Sequence, residues 1–315
     1  MSDPVTVVYI AGDGRSGTTV LSRVLGSGEH CIAAGELHDI WASSISGNSM
    51  CTCGEPVSEC PFWQAVMCRL FPNGAAADPR KLRDLRASVQ AVKHIPFLLF
   101  PRIRPARFQR RLDAYVDITE RLYRAIHCVS GGKVIVDSSK LAAYALVLGE
   151  SDQLDVRFVH VVRDSRACVH SWRRVKRTLL ADGTVEYMGN RSMLRTALVW
   201  NLRNILLSVV GRRFTHRATV RYEEFVRDPR RVIQRVSEEI GVPEVAGHWV
   251  GPSAFIPSAN EHIFAGNPNR AQKGSIEIRA DEEWREVMPA VEQATVAALA
   301  LPFAGASRLL GVRAR

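Results

Sequence analysis

Short apolar runs alternate with longer amphipathic stretches along most of the chain. The apolar runs are bounded by turn residues and lack a polar face, as is typical of strands buried on both sides in a parallel sheet. Because strands that alternate with helices need crossover connections, the pattern predicts an α/β fold with a central parallel sheet and helices on both faces. The predicted strands are Val5–Ala11, Lys133–Val136, Arg157–Val162 and Ala218–Tyr222, and the predicted helices are Thr18–Leu25, Arg110–His127, Leu141–Leu148, Ala167–Leu180, Leu194–Val210 and Asp281–Leu299.

The segment from Gly47 to about Phe108 interrupts this alternation. It holds a group of cysteines and the proline-broken run IPFLLFPRIRP, and no buried-strand pattern is visible in it. We therefore predict one domain over residues 1–315, with an insertion or lid at about 47–108.

Four of the seven cysteines lie close together in this insertion: Cys51, Cys53, Cys60 and Cys68. Thiolates at this density can bind zinc, but C-x-C followed by six residues and a third cysteine is not a standard zinc-ribbon spacing. In a reducing compartment structural disulfides are rare. Free thiols, zinc and a disulfide therefore all stay open. The other cysteines lie in apolar periodic segments and are predicted to pack in the core: Cys31, Cys128 and Cys168.

Composition narrows the class of protein. The 315 residues are 46% hydrophobic and 23% charged, which favours a globular core and excludes a disordered tail, a collagen-like chain or a small disulfide scaffold. No run approaches the roughly 18 apolar residues of a membrane-spanning helix. The N-terminus lacks the basic flank and cleavage site of a signal peptide, so we expect a cytoplasmic protein.

The charge is strongly basic and uneven. Lys and Arg number 42 against 32 Asp and Glu, which gives a net charge of +10. Residues 80–124 hold twelve of the basic residues and four of the acidic ones. This stretch is either a solvated helical face or, beside the apolar IPFLLFP, a platform for an acceptor or a membrane surface. We expect a phosphate-bearing, sulfate-bearing or membrane-surface partner and no nucleic acid.

A glycine turn, AGDGRSGTT, follows the first predicted strand and opens the first predicted helix. Such a turn directs backbone N–H groups inward, and the helix N-terminus adds positive charge, so it favours an anion. Gly12 and Gly17 match the separation in the nucleotide loop G-x-x-x-x-G-K-[ST], but Thr18 stands where the lysine belongs. This argues against Mg-ATP chemistry. Arg15 instead supplies a fixed cation, which predicts a ligand with a phosphate and a further anionic group.

The segment GRSGTT resembles the 5′-phosphosulfate loop of sulfotransferases that use 3′-phosphoadenosine 5′-phosphosulfate (PAPS). It is closest to the arginine form of the carbohydrate and tyrosylprotein branch, as a soluble bacterial-like member. The resemblance implies a P-loop-type three-layer domain, PAPS as donor, 3′-phosphoadenosine 5′-phosphate (PAP) as product and no metal in the transfer. It assigns donor binding to the loop residues Gly14, Arg15, Ser16, Gly17, Thr18 and Thr19.

Later segments continue the resemblance. In VVRDSRACVHSW, residues 161–172, the family pattern of an arginine and a serine that grip the 3′-phosphate falls on Arg163 and Ser171. The segments VRYEEF and HIFAGNPNRAQKG are similar to nucleotide-lining parts of the family, although the RKG-x-x-GDWK form of the cytosolic branch is not matched. They assign donor contacts to Tyr222, Asn267 and Arg270, with Lys273 as a further candidate.

Three residues are assigned to the transfer itself. Lys140 ends the segment VDSSK, where the family often has a lysine that helps hold the sulfonate, and Arg15 is expected to share that task. Glu36, in AAGELH, matches the glutamate that serves as general base in tyrosylprotein and related sulfotransferases. His38 is the alternative base, since both side chains share a face if the segment is extended.

The sequence therefore predicts a sulfotransferase that moves a sulfuryl group from PAPS to a hydroxyl of a carbohydrate, glycolipid or small metabolite. Peripheral membrane contact is an additional expectation. Two alternatives stay open: a degenerate P-loop kinase or NTPase, and a non-enzymatic binder of polyanions or membrane surfaces.

Overall fold

A five-stranded parallel sheet lies at the centre of the protein. The computed structural model describes residues 3–41, 49–72, 78–179, 185–189, 191–242 and 248–309. The strands are β1 (Val5–Gly12), β2 (Cys31–Gly35), β3 (Val134–Lys140), β4 (Leu154–Val162), β5 (Lys176–Leu179), β6 (Val185–Met188), β7 (Arg217–Arg221), β8 (Ala254–Phe255) and β9 (Ile276–Glu277). The central sheet has the order β2-β3-β1-β4-β7, and every neighbouring pair is parallel. The predicted α/β fold is confirmed.

Helices cover both faces of this sheet. They are α1 (Thr18–Leu25), α2 (Pro61–Leu70), α3 (Pro79–Gln90), α4 (Ile95–Leu99), α5 (Ala106–Val129), α6 (Ala142–Leu148), α7 (Ser165–Arg173), α8 (Met193–Gly211), α9 (Tyr222–Arg227), α10 (Pro229–Ile240), α11 (Trp284–Val287) and α12 (Ala290–Leu309). Among the described residues, no helix combines the length and the apolar character needed to cross a bilayer.

Strand β1 shows how the three layers form. Its side chains alternate between the faces of the sheet. Val7 and Tyr9 join a core cluster with residues of α5 and α6, whereas Val8 and Ile10 join a second cluster with residues of α1 and α10. A strand that is apolar at nearly every position thus has a buried core on each side.

The structure differs from the sequence-based prediction at several elements, among them strand β2 and the end of helix α7. Strand β2 lies outside the prediction because its sequence, CIAAG, is short and rich in alanine, a poor strand former. Helix α7 ends at Arg173 rather than Leu180, since the chain continues into the antiparallel β5–β6 hairpin from Lys176. Residue 180 lies outside the described residues.

The predicted C-terminal helix Asp281–Leu299 is divided in the structure. A short helix, α11, ends at Val287, and Met288 is extended. Pro289 follows, and a residue before proline disfavours helical backbone. The long helix α12 begins only at Ala290.

Helices of the 47–108 segment pack on α5 and share the core cluster of one sheet face. Trp63 and Val66 of α2 are buried in the same cluster as Leu112 and Tyr115 of α5. Residues 47 and 48, where the predicted insertion begins, lie outside the described residues.

Two of the three cysteines predicted for the core are buried there. Cys31 and Cys168 are buried, but Cys128 is exposed near the end of α5, so that prediction is wrong. The buried face of α5 at this point is formed by Leu122 and Ile126, one turn apart, and Cys128 lies off that face.

Candidate active site

A cavity of about 760 Å³ opens at the carboxyl ends of the central strands. Ligands of open parallel sheets bind at this edge, where neighbouring strands send their connections in opposite directions. Strand β1 lies at such a point, between β3 and β4. The volume suits a small ligand. The predicted donor and transfer residues that line the cavity are Gly14, Arg15, Gly17, Thr18, Thr19, Glu36, His38, Lys140, Arg163, Ser171, Tyr222, Asn267 and Arg270.

The glycine turn between β1 and α1 is shaped to bind an anion. Gly17 has a φ of 91°, and a Cβ there would lie 2.5 Å from the Tyr222 ring, so backbone and packing both require glycine. Ser16 does not line the cavity; its Oγ donates to the Asp13 carbonyl at 2.7 Å and holds the turn. The first backbone N–H groups of α1 have no partner within the helix. Together these features form a cradle for a phosphate or sulfate group.

Arg15 is a buried cation that pairs with no carboxylate of the described residues. Its side chain is 8% exposed, and none of its three nitrogens has a hydrogen-bond partner among the described residues. The guanidinium lies 4.9 Å from the centroid of Trp172, on which Arg191 also stacks. Burial and the nearby charges of Arg191 and Arg174 lower its pKa. Because an unpaired buried charge is costly, an anion in the cavity stabilises this arrangement.

Arg15 and Lys140 also share a strained backbone. Their φ angles are 72° and 69°, and no other described non-glycine residue has a positive φ. Left-handed backbone at such residues costs free energy, and it is concentrated at functional sites. Both side chains line the cavity, so the strain coincides with the residues that the sequence assigns to the sulfonate.

Glu36 and Lys140 form an ion pair. Glu36 follows β2, Lys140 ends β3, and Lys140 Nζ contacts Glu36 Oε1. Each side chain is 16% exposed. A Cβ on Gly266 would lie 3.0 Å from Glu36 Oε1 and 3.6 Å from Thr19 Oγ1, so the carboxylate and the glycine turn approach the same point. The candidate base therefore faces the candidate anion cradle.

His38, the alternative base, lies in a short helical turn directly after Glu36. Residues Leu37–Asp39 form a single 3-10 turn, so the segment is not extended as the shared-face prediction assumed. Burial lowers the pKa of His38 to about 4, and its Nδ1 is buried without a partner among the described residues. His38 is therefore neutral at pH 7 and lines the cavity, which leaves it available as the second candidate base.

Asp137 is a buried carboxylate that sequence analysis leaves without a role. It accepts hydrogen bonds from the Tyr123 hydroxyl, from the Ser139 amide at 2.8 Å and from the Leu37 amide at 3.4 Å. Ser139 Oγ also donates to this carboxylate and accepts from the His38 amide at 3.0 Å. Asp137 thus fixes the turn after Glu36 against the end of β3. The sequence signal for it is an acidic residue directly after a predicted buried strand.

Asp137 should make stability depend on pH. Burial raises its pKa from 3.8 to about 6, so between these values the folded state holds a proton that the unfolded state has lost. The free energy of unfolding should therefore fall by about 2.4 kcal/mol as pH rises from 4 to 7, from this group alone. In Asp137→Asn that component should disappear. Urea denaturation of both proteins at several pH values measures it, and parallel pH profiles would contradict the assignment.

Arg163 is held at the cavity wall by several groups. Its Nη1 donates to the Arg15 carbonyl at 3.0 Å, and Nη2 donates to the Asp281 carbonyl at 2.9 Å and lies 3.3 Å from the Asp281 carboxylate. Its guanidinium stacks 4.3 Å from the Tyr222 ring centroid, while Nε is buried without a partner among the described residues. Ser171 is buried and lines the same cavity. Arg163 therefore keeps Nε as a donor that no described residue uses. A ligand phosphate could also replace the Asp281 carboxylate at Nη2.

The late glycine-asparagine segment supplies the remaining predicted contacts. Asn267 accepts from the Asn269 amide at 3.2 Å and caps a 3-10 turn. Arg270 is buried in that turn and donates to the Gly266 carbonyl at 3.1 Å. Both line the cavity, whereas Lys273 does not and instead donates to the Thr52 carbonyl.

Arg23 of α1 fixes this late segment to the glycine turn's helix. It is 2% exposed and forms a two-pronged contact with Glu261, with Nη2–Oε1 at 2.7 Å and Nε–Oε2 at 3.1 Å. It also donates to the carbonyls of Asn269 and Gln272. Sequence analysis does not identify this pair. The only signal is an arginine within an otherwise apolar helix face.

Comparison with known proteins gives one family. A model described as "Sulfotransferase family" matches residues 8–246. None of the curated proteins compared matches the chain. Among solved structures, the chain is similar to the sulfotransferase domain from the Synechococcus PCC 7002 olefin synthase, with 20% identity, a TM-score of 0.48 and 96% of each chain covered.

Two mycobacterial structures are also similar to the chain. Sulfotransferase STF9 from Mycobacterium avium has 17% identity and a TM-score of 0.38, with 77% of this chain and 65% of that chain covered. Sulfotransferase STF1 from Mycobacterium tuberculosis H37Rv has 14% identity and a TM-score of 0.44, with 96% of this chain and 77% of that chain covered.

Proposed function

The chain belongs to the sulfotransferase family, and from this premise we propose that it transfers a sulfuryl group from PAPS to an acceptor hydroxyl. The observation that carries the proposal is the buried guanidinium of Arg15, which has no hydrogen-bond partner in the described part of the chain and lies in a glycine turn that lacks the nucleotide-loop lysine. A 5′-phosphosulfate supplies the negative charge that this cation lacks. A Mg-bound triphosphate would instead need the missing lysine.

The donor would be held at both phosphates. The glycine turn and Arg15 bind the 5′-phosphosulfate, while Arg163 and Ser171 bind the 3′-phosphate. Arg163 can exchange the Asp281 carboxylate for a phosphate and offer its Nε, which no described residue engages. The adenosine would contact Tyr222 and the late segment that carries Asn267 and Arg270.

The transfer would run through the Glu36–Lys140 pair. The acceptor oxygen forms a bond to sulfur as the bond between sulfur and the 5′-phosphate oxygen breaks, and the electron pair leaves with PAP. Glu36 takes the acceptor proton, and Lys140 and Arg15 stabilise the charge on the sulfonate and leaving oxygens. Lys140, which contacts Glu36 in the structure, would turn to the sulfonate when the donor binds. No residue in this scheme requires a metal.

The acceptor would enter beside the 47–108 segment. Gln90, Val92 and Ile95 line this side of the cavity, so it presents both polar and apolar surface. This suits a carbohydrate, glycolipid or small hydroxylated metabolite. Exposed Phe100 and Ile103, beside the basic stretch, are the residues we would assign to a peripheral membrane contact. Membership in the carbohydrate branch and a cytoplasmic location stay predictions.

Incubation with PAPS labelled in its sulfur tests the proposal. We expect label to pass from PAPS to a component of a cell extract, without added Mg²⁺, while PAP accumulates. The degenerate-kinase alternative predicts Mg-dependent ATP binding and no PAP formation. The non-enzymatic alternative predicts binding to heparin or liposomes that falls steeply with salt and does not respond to PAP.

Arg163→Ala should remove most of the preference for a 3′-phosphate. Charge-assisted bonds from a guanidinium are worth about 1.5–3 kcal/mol, so affinity for PAP should fall roughly 10- to 150-fold. Affinity for 5′-AMP, which lacks the 3′-phosphate, should change much less. Calorimetry with both nucleotides measures the ratio. Arg166→Ala is the matched control, because Arg166 pairs with Asp164 outside the cavity. An unchanged PAP/AMP ratio in Arg163→Ala would place the 3′-phosphate elsewhere.

A further inference from the structure

Three cysteines and one histidine converge outside the cavity. The Sγ atoms of Cys51, Cys53 and Cys60 and a ring nitrogen of His262 all lie within 4.8 Å of one another. None of the four residues lines the cavity described above. Cys68, which the sequence groups with the other three, is exposed on α2 and does not join them.

Three of the distances between these atoms are close to those in a tetrahedral metal site. The Cys53 and Cys60 sulfurs are 3.6 Å apart, and His262 Nδ1 lies 3.6 Å from Cys51 Sγ and 3.4 Å from Cys60 Sγ. Zinc binds sulfur at about 2.3 Å and nitrogen at about 2.0 Å in a tetrahedron, which places neighbouring ligand atoms roughly 3.5–3.8 Å apart. The sulfurs are too far apart for a disulfide, in which they would be about 2.05 Å apart.

Local structure fixes the three cysteines from two neighbouring elements. Residues 49–57 form a narrow hairpin, with a Met50–Pro56 bridge and Gly54 at a φ of 108°, and it presents Cys51 and Cys53 on either side of Thr52. Cys60 is the N-cap residue of α2. Neither element depends on a bond between the cysteines.

His262 is oriented by aromatic residues of α2. Its ring is stacked on Phe62, with centroids 4.4 Å apart and an interplanar angle of 2°. Its carbonyl accepts from Trp63 Nε1 at 3.1 Å. These contacts aim Nδ1 at the thiols, as outer contacts of metal ligands commonly do.

We propose that Cys51, Cys53, Cys60 and His262 bind one structural Zn²⁺ ion. Three thiolates and a neutral imidazole form a closed Cys₃His set with no position for a substrate. Such a site carries a net charge of −1, and Lys273 supplies a nearby cation, since its Nζ donates to the Thr52 carbonyl between two of the ligands. This identifies a role for Lys273 outside the donor cavity.

The ion would join the inserted segment to the late segment of the chain. Three ligands belong to residues 51–60, and the fourth immediately precedes the segment that carries Gly266, Asn267 and Arg270. The Thr52 hydroxyl adds bonds to the Glu261 carbonyl and the Ile263 amide, both at 2.9 Å. Zinc thus stabilises one cavity wall without taking part in the transfer.

Metal analysis of the whole purified protein tests this site independently of any sulfotransferase activity. After expression with zinc and purification under reducing conditions, we expect one zinc per chain in wild type and in Cys68→Ser. Cys53→Ser, which replaces an exposed ligand, should lose zinc or bind it about tenfold or more weakly. Equal zinc retention in Cys53→Ser would overturn the proposal.

Cobalt substitution of the wild-type protein keeps the test decisive if the variant does not fold. Co²⁺ alone, added to apoprotein, should produce the strong visible bands of tetrahedral coordination and a thiolate-to-cobalt charge-transfer band. Stoichiometric Zn²⁺ should abolish both. A folded, reduced apoprotein that gives neither band, or a Cys53–Cys60 disulfide in protein from a reducing cytosol, would overturn the proposal.

Discussion

Glu36→Gln is expected to lower kcat by about 10²- to 10⁴-fold, the range for loss of a general base. Glutamine keeps the size of the side chain but cannot take the acceptor proton. PAP affinity should change little, because Glu36 contacts Lys140 rather than the groups assigned to the nucleotide. Steady-state kinetics with PAPS and calorimetry with PAP separate the two effects.

Two further variants make this prediction specific. Glu277→Gln is the matched control, because Glu277 is an acidic residue at the exposed side of the same cavity that pairs with Arg279. Its kcat should stay close to wild type. Full activity in Glu36→Gln together with loss of activity in His38→Gln would assign proton abstraction to His38.

Arg15→Met is expected to stabilise the ligand-free protein while it severely weakens donor binding and catalysis. Methionine retains the apolar contact with Trp172 but removes a buried charge that has no partner among the described residues. The melting temperature without ligand should therefore rise. The ratio kcat/KM for PAPS should fall by about 10²- to 10³-fold, as when one charge-stabilising donor is removed.

The opposite signs of these effects distinguish a binding role from a structural one. An arginine that only supports the fold would lose stability and activity together. Arg191→Met is an informative companion, since Arg191 also stacks on Trp172 but is more exposed. A lower melting temperature in Arg15→Met with unchanged PAP affinity would contradict the proposed anion site.

The parts of the site that could be predicted are formed by residues that are adjacent in the sequence. The end of a strand, the glycine turn with Arg15 and the start of a helix follow one another within a few positions. An anion site there can therefore be predicted from the local sequence. The resemblance to a family also assigns Glu36 and Lys140, each from its own motif. Their mutual contact depends on β2 and β3 being neighbours, which the alternation of strands and helices does not specify.

The parts that could not be predicted depend on contacts between distant segments. Arg23 and Glu261 are 238 positions apart, and neither belongs to a recognisable motif. Likewise, His262 completes the cysteine cluster from the far end of the chain, while Cys68 is close in sequence and outside the cluster. Proximity in sequence groups Cys68 with the other three cysteines, but Cys68 is exposed on helix α2.

The most direct measurement of the central claim is calorimetry of the wild-type protein with PAP, 5′-AMP and Mg-ATP. We predict one PAP site per chain that needs no Mg²⁺, with affinity at least about tenfold higher than for 5′-AMP because of the 3′-phosphate. Absence of PAP binding, or a preference for Mg-ATP, would contradict the assignment of this cavity to the sulfuryl donor.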